Sequence, residues 1–194
     1  SGSGVNEILD VKNVWNTIAI YKNTAFFVVN EKQSSNSGNK ITYKSYCIKA
    51  TETYNNQSNK NTLKLEKKLS IPVGILLENC VEDNHFFVRN RNHVYYMQWT
   101  SSGCKMVAEK IFGKSVTSSS SIMVTSRRQL VIMTYQDNKY NIMLYPLIKD
   151  SSNEYSWKEP IELLKTSKWY MKINIIEQYV LLYFDDSLHI YSYK

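Results

Sequence analysis

Residues 169–193 read WYMKINIIEQYVLLYFDDSLHIYSY. Three short apolar segments follow one another here. Residues 169–176 come first, and Glu177-Gln178 interrupts them. Residues 179–184 are apolar throughout. Asp185-Asp186 then turns the chain into residues 187–193, where Leu188, Ile190 and Ser192 alternate with His189, Tyr191 and Tyr193. Apolar runs joined by a short acidic turn predict a β-hairpin. The stretch therefore sets a rhythm of strands A, B and C, and the rest of the chain can be phased on it.

The rhythm recurs upstream. Residues 14–21, 25–29, 41–49 and 62–69 give A, B, C and D of a first unit, with polar loops at 30–40 and 52–61. Residues 73–77, 85–89, 93–100 and 105–112 repeat the order. A third set covers 122–125, 129–135, 140–147 and 157–164, where Pro160 suits an edge strand that lacks a ladder donor. The A strands return about every 50 residues, a period typical of propeller repeats. The B strands AFFVV, HFFVR, QLVIMTY and YVLLYF are almost wholly apolar. A sheet with one wet face would alternate instead, so these strands call for cover on both faces. Stacked blades supply it.

The expected fold is all-β and propeller-like, with about four four-stranded antiparallel blades. The units span about residues 6–69, 70–112, 122–164 and 169–194 of a single domain over 5–194. A β-sandwich or barrel is the alternative. Residues 1–4, Ser-Gly-Ser-Gly, have linker composition and read as a vector-derived scar outside the fold. The phasing, together with residues 90–99 and the tail Asp185-Asp186-Ser187-Leu188-His189-Ile190-Tyr191, resembles the WD40-like β-propeller superfamily. No unit ends in Trp-Asp and none opens with Gly-His. The resemblance implies a rigid interaction surface. It also implies that the lone segment 6–11 completes the last blade, or else that another chain or segment completes a larger ring.

Composition narrows the functional classes. The chain has 194 residues, 15 Tyr, only 6 Gly and 3 Pro, and a net charge of +7. No run of about 18 apolar residues occurs, so no membrane partner is expected. Cys47, Cys80 and Cys104 show no metal-ligand spacing, and an odd count points to a reducing, intracellular setting. His85, His93 and His189 assemble into no catalytic set, and no phosphate-binding loop or metal motif is present. Asp185-Asp186 reads as a solvated turn. The expectation is a chain that is not an enzyme and uses no cofactor and no metal.

The candidate partner-binding residues are Arg127, Arg128, Arg89, Arg91, Trp15 and Trp169. Arginine forks recognise phosphate and carboxylate. Arg91 falls in a B–C turn and Arg127-Arg128 in an A–B turn, which places the two pairs on opposite rims of a meander blade. One continuous groove using both is therefore not expected. Trp15 and Trp169 stand near the starts of A strands, where either packing or a partner hot spot uses Trp. Tyr95, Tyr96, Trp99, Tyr191 and Tyr193 could stack bases, but in stacked blades such positions are mostly core. The function expected is a protein-protein interaction scaffold in an intracellular complex, nuclear rather than cytoplasmic given the basic charge. Nucleic-acid binding through basic loops, or reading of acidic or phosphorylated peptides by Arg127 and Arg128, stands as the alternative.

Overall fold

A computed structural model describes residues 18–33, 41–66, 69–78, 82–116, 121–125, 127–167, 172–183 and 186–192. Within them the chain forms seventeen strands and no helix. The first sheet holds β1 (Ala19–Tyr21), β2 (Thr24–Gln33), β3 (Thr42–Asn55), β4 (Lys60–Leu65) and β5 (Leu69–Ile71). The second holds β6 (Ile75–Leu76), β7 (His85–Asn90), β8 (His93–Trp99) and β9 (Cys104–Ile111). In the third are β10 (Ser121–Val124), β11 (Gln129–Gln136), β12 (Lys139–Lys149), β13 (Tyr155–Trp157) and β14 (Ile161–Thr166). The fourth comprises β15 (Lys172–Ile176), β16 (Tyr179–Tyr183) and β17 (Leu188–Ser192).

Every sheet is an antiparallel meander in chain order. Four separate sheets are neither the two layers of a sandwich nor one closed barrel. They are not uniformly four-stranded. The outer position splits in two in the first and third sheets, where β4 with β5 and β13 with β14 share the edges of β3 and β12. In the third sheet the split falls at residues 158–160. Pro160, with no N–H to donate, ends one pairing and lets the next begin. The fourth sheet has three strands among the described residues. The segment 6–11, expected to complete it, lies outside them.

Tight turns carry the repeat. Lys22-Asn23, Arg91-Asn92, Asp137-Asn138 and Glu177-Gln178 each join two strands. Lys22, Arg91, Asp137, Asn138 and Glu177 have φ between 51° and 57°. Left-handed backbone matches the twist of a two-residue hairpin, and Asp and Asn tolerate it at low cost. Two expected loops are shorter than the sequence suggested. β3 and β4 continue through most of 52–61 and leave only a four-residue turn. There Asn55 Oδ1 accepts from the N–H groups of Gln57 and Ser58, and Thr53 and Thr62 hydroxyls pair at 3.0 Å. β2 likewise runs to Gln33, into the expected loop 30–40. At the last hairpin Tyr183 pairs with Leu188, a register centred on the expected Asp185-Asp186 turn; residues 184 and 185 lie outside the described ones.

Each inner sheet is buried on both faces, which explains its apolar B strand. Phe86 and Val88 of β7 join Phe26, Val28 and Cys47 of the first sheet in one core. Phe87, between them, points the other way into a second core with Tyr96, Leu130, Ile132 and Leu147. Val131 of β11 turns into a third core with Ile142, Leu144, Val180 and Leu182. Successive side chains of a strand alternate sides, so a wholly apolar strand belongs between two neighbours. Sheets one to four thus pack in series in a blade-like arrangement. At the first junction Phe26 sits 4.9 Å from Phe86 and 6.0 Å from Trp99, ring centre to ring centre. Gly74, on entry to β6, lies so close to the Arg89 carbonyl that a Cβ would collide with backbone.

Candidate functional site

The A–B connections of the sheets lie along one rim, and the largest polar constellation of the described residues is built there. Glu82 is carried by the connection between β6 and β7. Tyr96 of β8 and Tyr155 of β13 each donate a hydroxyl proton to Glu82 Oε1 at 2.6 Å. Arg128 Nη1 lies 3.5 Å from the same oxygen, and Lys149 Nζ lies 3.5 Å from Oε2. His85 Nε2 is 3.3 Å from the Tyr155 hydroxyl, while His85 Nδ1 meets the Asp83 carbonyl at 2.7 Å. A carbonyl only accepts, so that nitrogen carries a proton. Of these six side chains Glu82 comes from the β6–β7 connection, His85 from the start of β7, Tyr96 from β8, and Arg128, Lys149 and Tyr155 from the third sheet.

Local sequence explains how Arg128 is aimed. Thr125 Oγ1 accepts from the N–H groups of Arg127 and Gln129, and donates to Gln129 Oε1. This hydroxyl-closed turn puts Arg128 at φ 56°. The Arg128 guanidinium and the Lys149 ammonium stand 5.7 and 5.4 Å from the centre of the Tyr155 ring. Two cations therefore share one carboxylate and one aromatic face.

The electrostatics favour a fixed charge. Burial by itself would raise the Glu82 carboxyl, but the hydroxyls of Tyr155 and Tyr96, then His85 and Arg128, outweigh it and hold the group below its ordinary value. Burial and the Glu82 charge push both phenols upward, well clear of neutral pH. A carboxylate held low and phenols held high exchange no proton near neutrality. The arrangement is suited to joining the second and third sheets. Beside it opens a cleft of about 820 Å³, lined in part by His85, Gln98, Lys105, Lys149, Asn153 and Tyr155.

The other junctions have polar links as well. Lys49 of β3 donates to Asn84 Oδ1 of the second sheet at 2.7 Å and pairs with Glu66 at 3.2 Å. Arg127 forms an ion pair with Glu177, the A–B turn of the fourth sheet, and both side chains are largely exposed. Arg127 and Arg128 thus point to different neighbours. Arg89 is buried in β7, its Nε donating to the Arg91 carbonyl at 2.9 Å, and burial lowers its pKa. Arg91 sits in the β7–β8 turn, at the opposite end of β7 from Glu82. Trp15 and Trp169 lie outside the described residues. Tyr96 and Trp99 are buried, and Tyr95 and Tyr191 pack against cores.

Among the described residues no group of three or more His, Cys, Asp or Glu is placed to hold a metal ion. Cys47 and Cys104 are free thiols. Among the described residues no helix is long and apolar enough to cross a membrane. Glu82 and Tyr155 were not among the residues the sequence singled out. They are 73 positions apart, and nothing in either neighbourhood announces their contact. Compared with known protein families and with curated proteins, the chain matches no family model and no protein.

Proposed function

We propose that the four stacked sheets are blades of a WD40-like propeller arrangement and that the chain is a non-enzymatic interaction scaffold. It serves as a subunit of an intracellular multiprotein complex, and its net charge of +7 favours a nuclear one. The observation that carries this reading is the outer surface of the two end sheets. Ile20, Leu63 and Leu65 on the first sheet and Tyr179, Leu188 and Ile190 on the fourth are exposed. Exposed apolar groups gathered on one face mark interaction surfaces, whereas scattered single residues need no explanation. Serial packing and a polar link at every junction supply the stiffness that a presenting surface requires.

A second reading keeps some support from the basic charge and from Lys105 and Lys149 in the polar cleft. It makes the chain a binder of nucleic acid or of acidic peptides. Arg127 and Arg128 serve it less well, since each already has a carboxylate partner within the chain. A tagged pull-down from cell lysate, divided and treated on one side with nuclease, separates the two. Partners kept in fixed ratio after nuclease support the scaffold. Partners lost with nuclease, and binding that falls steeply with salt, support the second reading.

A further inference from the structure

The cleft beside Glu82 opens where the apolar contact between the second and third sheets ends, and register builds its walls. His85 stands opposite Gln98, and Gln98 opposite Lys105, across β7, β8 and β9. Directly opposed residues share a face, so these three form one polar row. In the third sheet Lys149 stands opposite Tyr155 across β12 and β13. Both rows line the same space of about 820 Å³. The walls are tied to each other at two places. Tyr155 reaches Glu82 and His85, and Trp157 Nε1 of β13 donates to the Glu109 carbonyl of β9 at 2.9 Å. The cleft is thus set before a ligand arrives, which lowers the cost of binding one.

Its charge is unbalanced. Lys105 is exposed and has no ion pair among the described residues. Lys149 shares the Glu82 carboxylate with Arg128, so one anion faces two cations. Glu154 is the one carboxylate among the described residues of the lining. Asp150 is turned to its own loop, where it accepts from the N–H groups of Ser152 and Glu154 at 2.8 and 2.9 Å. Two ammonium groups therefore reach one cleft from opposite sheets, a fit for an anionic group. Gln98 and Asn153 on the same lining offer amide donors and acceptors, both of which a peptide backbone uses. A nucleobase needs an open ring face to stack on. Here the His85 ring already stacks on Tyr96 at 5.3 Å, and the Tyr155 ring has Arg128, Lys149 and the edge of Tyr96 against it.

We propose that this cleft holds a peptide segment of a partner protein, with an anionic side chain set between Lys105 and Lys149. This rests on the acidic-peptide form of the second reading above, and names its site. The shared chemistry is a group of anionic oxygens on a side chain, which Glu and phosphoserine both present.

Fluorescence anisotropy at low salt tests this with labelled hexapeptides Gly-Gly-Xaa-Xaa-Gly-Gly, where Xaa is Glu, phosphoserine or Ser, and with labelled hexathymidylate. The proteins are the wild type, Lys105→Glu and Lys64→Glu, the last making the same charge change on the exposed edge of the first sheet. At least one acidic peptide should bind and the Ser peptide should not. Binding of the phosphoserine peptide alone would identify a phosphorylated partner, and binding of both would show that carboxylates suffice. Lys105→Glu should weaken binding at least about 10-fold, the scale of one charge-assisted hydrogen bond, while Lys64→Glu leaves it nearly unchanged. An unchanged urea midpoint would show that Lys105→Glu folds; were it lowered, Lys105→Gln takes its place. Acidic-peptide binding that ignores Lys105, or that falls equally with Lys64→Glu, would overturn the cleft and leave the acidic-peptide reading standing. No binding of either acidic peptide into the millimolar range would remove both. Hexathymidylate that binds through Lys105 and displaces the peptides would overturn the proposal in favour of nucleic acid.

Discussion

Replacing Glu82 with Gln preserves the side chain's size and one acceptor while deleting its charge. The two 2.6 Å hydrogen bonds from Tyr96 and Tyr155 then end on a neutral oxygen or are lost. A hydrogen bond to a charged group contributes about 1.5–3 kcal/mol, and a neutral one about 1 kcal/mol. The contacts to Arg128 and Lys149, at 3.5 Å and partly exposed, add at most about 0.5 kcal/mol each after screening by solvent. The expected loss is about 2–3 kcal/mol, read as a lower midpoint in urea unfolding. Glu82→Ala should cost about 1 kcal/mol more, because the buried Tyr96 hydroxyl is left without its acceptor. The pH dependence is diagnostic. Glu82 titrates in the fold below its ordinary 4.5. Its contribution is therefore complete above that value and fades as pH falls through the lowered one. The gap between wild type and Glu82→Gln should be constant near neutrality and close in acid. A variant as stable as wild type at pH 7, or a gap unchanged by acid, would refute the argument that this carboxylate joins the two sheets.

Arg127→Ala removes the exposed pair with Glu177 and should cost no more than about 1 kcal/mol, with the difference vanishing at high salt in denaturation curves. Burial pushes the Cys104 thiol up to about 11. Alkylation followed by mass spectrometry should therefore be slow at pH 7 and accelerate toward that value, while buried Cys47 should label only in denaturant. Gly74→Ala drives a methyl group into the Arg89 carbonyl. It should lower the unfolding midpoint by the equivalent of about 1–3 kcal/mol, the usual cost of overpacking.

How far the sequence was legible follows from the range of each interaction. The B strands were readable because two-sided burial leaves a local mark. Residues 85–88 and 129–133 are apolar at nearly every position, and the structure divides them between two cores. The Asp137-Asn138 turn was readable because left-handed backbone selects such residues, whereas Lys22, Arg91 and Glu177 adopt the same conformation without that mark. Pro160 announced the broken edge. The polar extension of β3 and β4 was not readable as strand, since its exposed Thr, Asn and Lys have loop composition and are held by cross-strand pairs such as Thr53 with Thr62. The site was the least legible. Arg128 was singled out for its charge, yet its partner Glu82 is 46 positions away in the chain. Contacts of that separation exist only once the sheets have stacked.

The measurement closest to the central claim is the pair Phe86→Ala and Phe87→Ala in equilibrium unfolding. Both rings are fully buried, but on opposite faces of β7 and in different cores. Serial stacking predicts a large loss for each, about 3–5 kcal/mol. If one of these neighbours proved nearly silent, one face of the second sheet would be open to water, and the stacked arrangement would be contradicted.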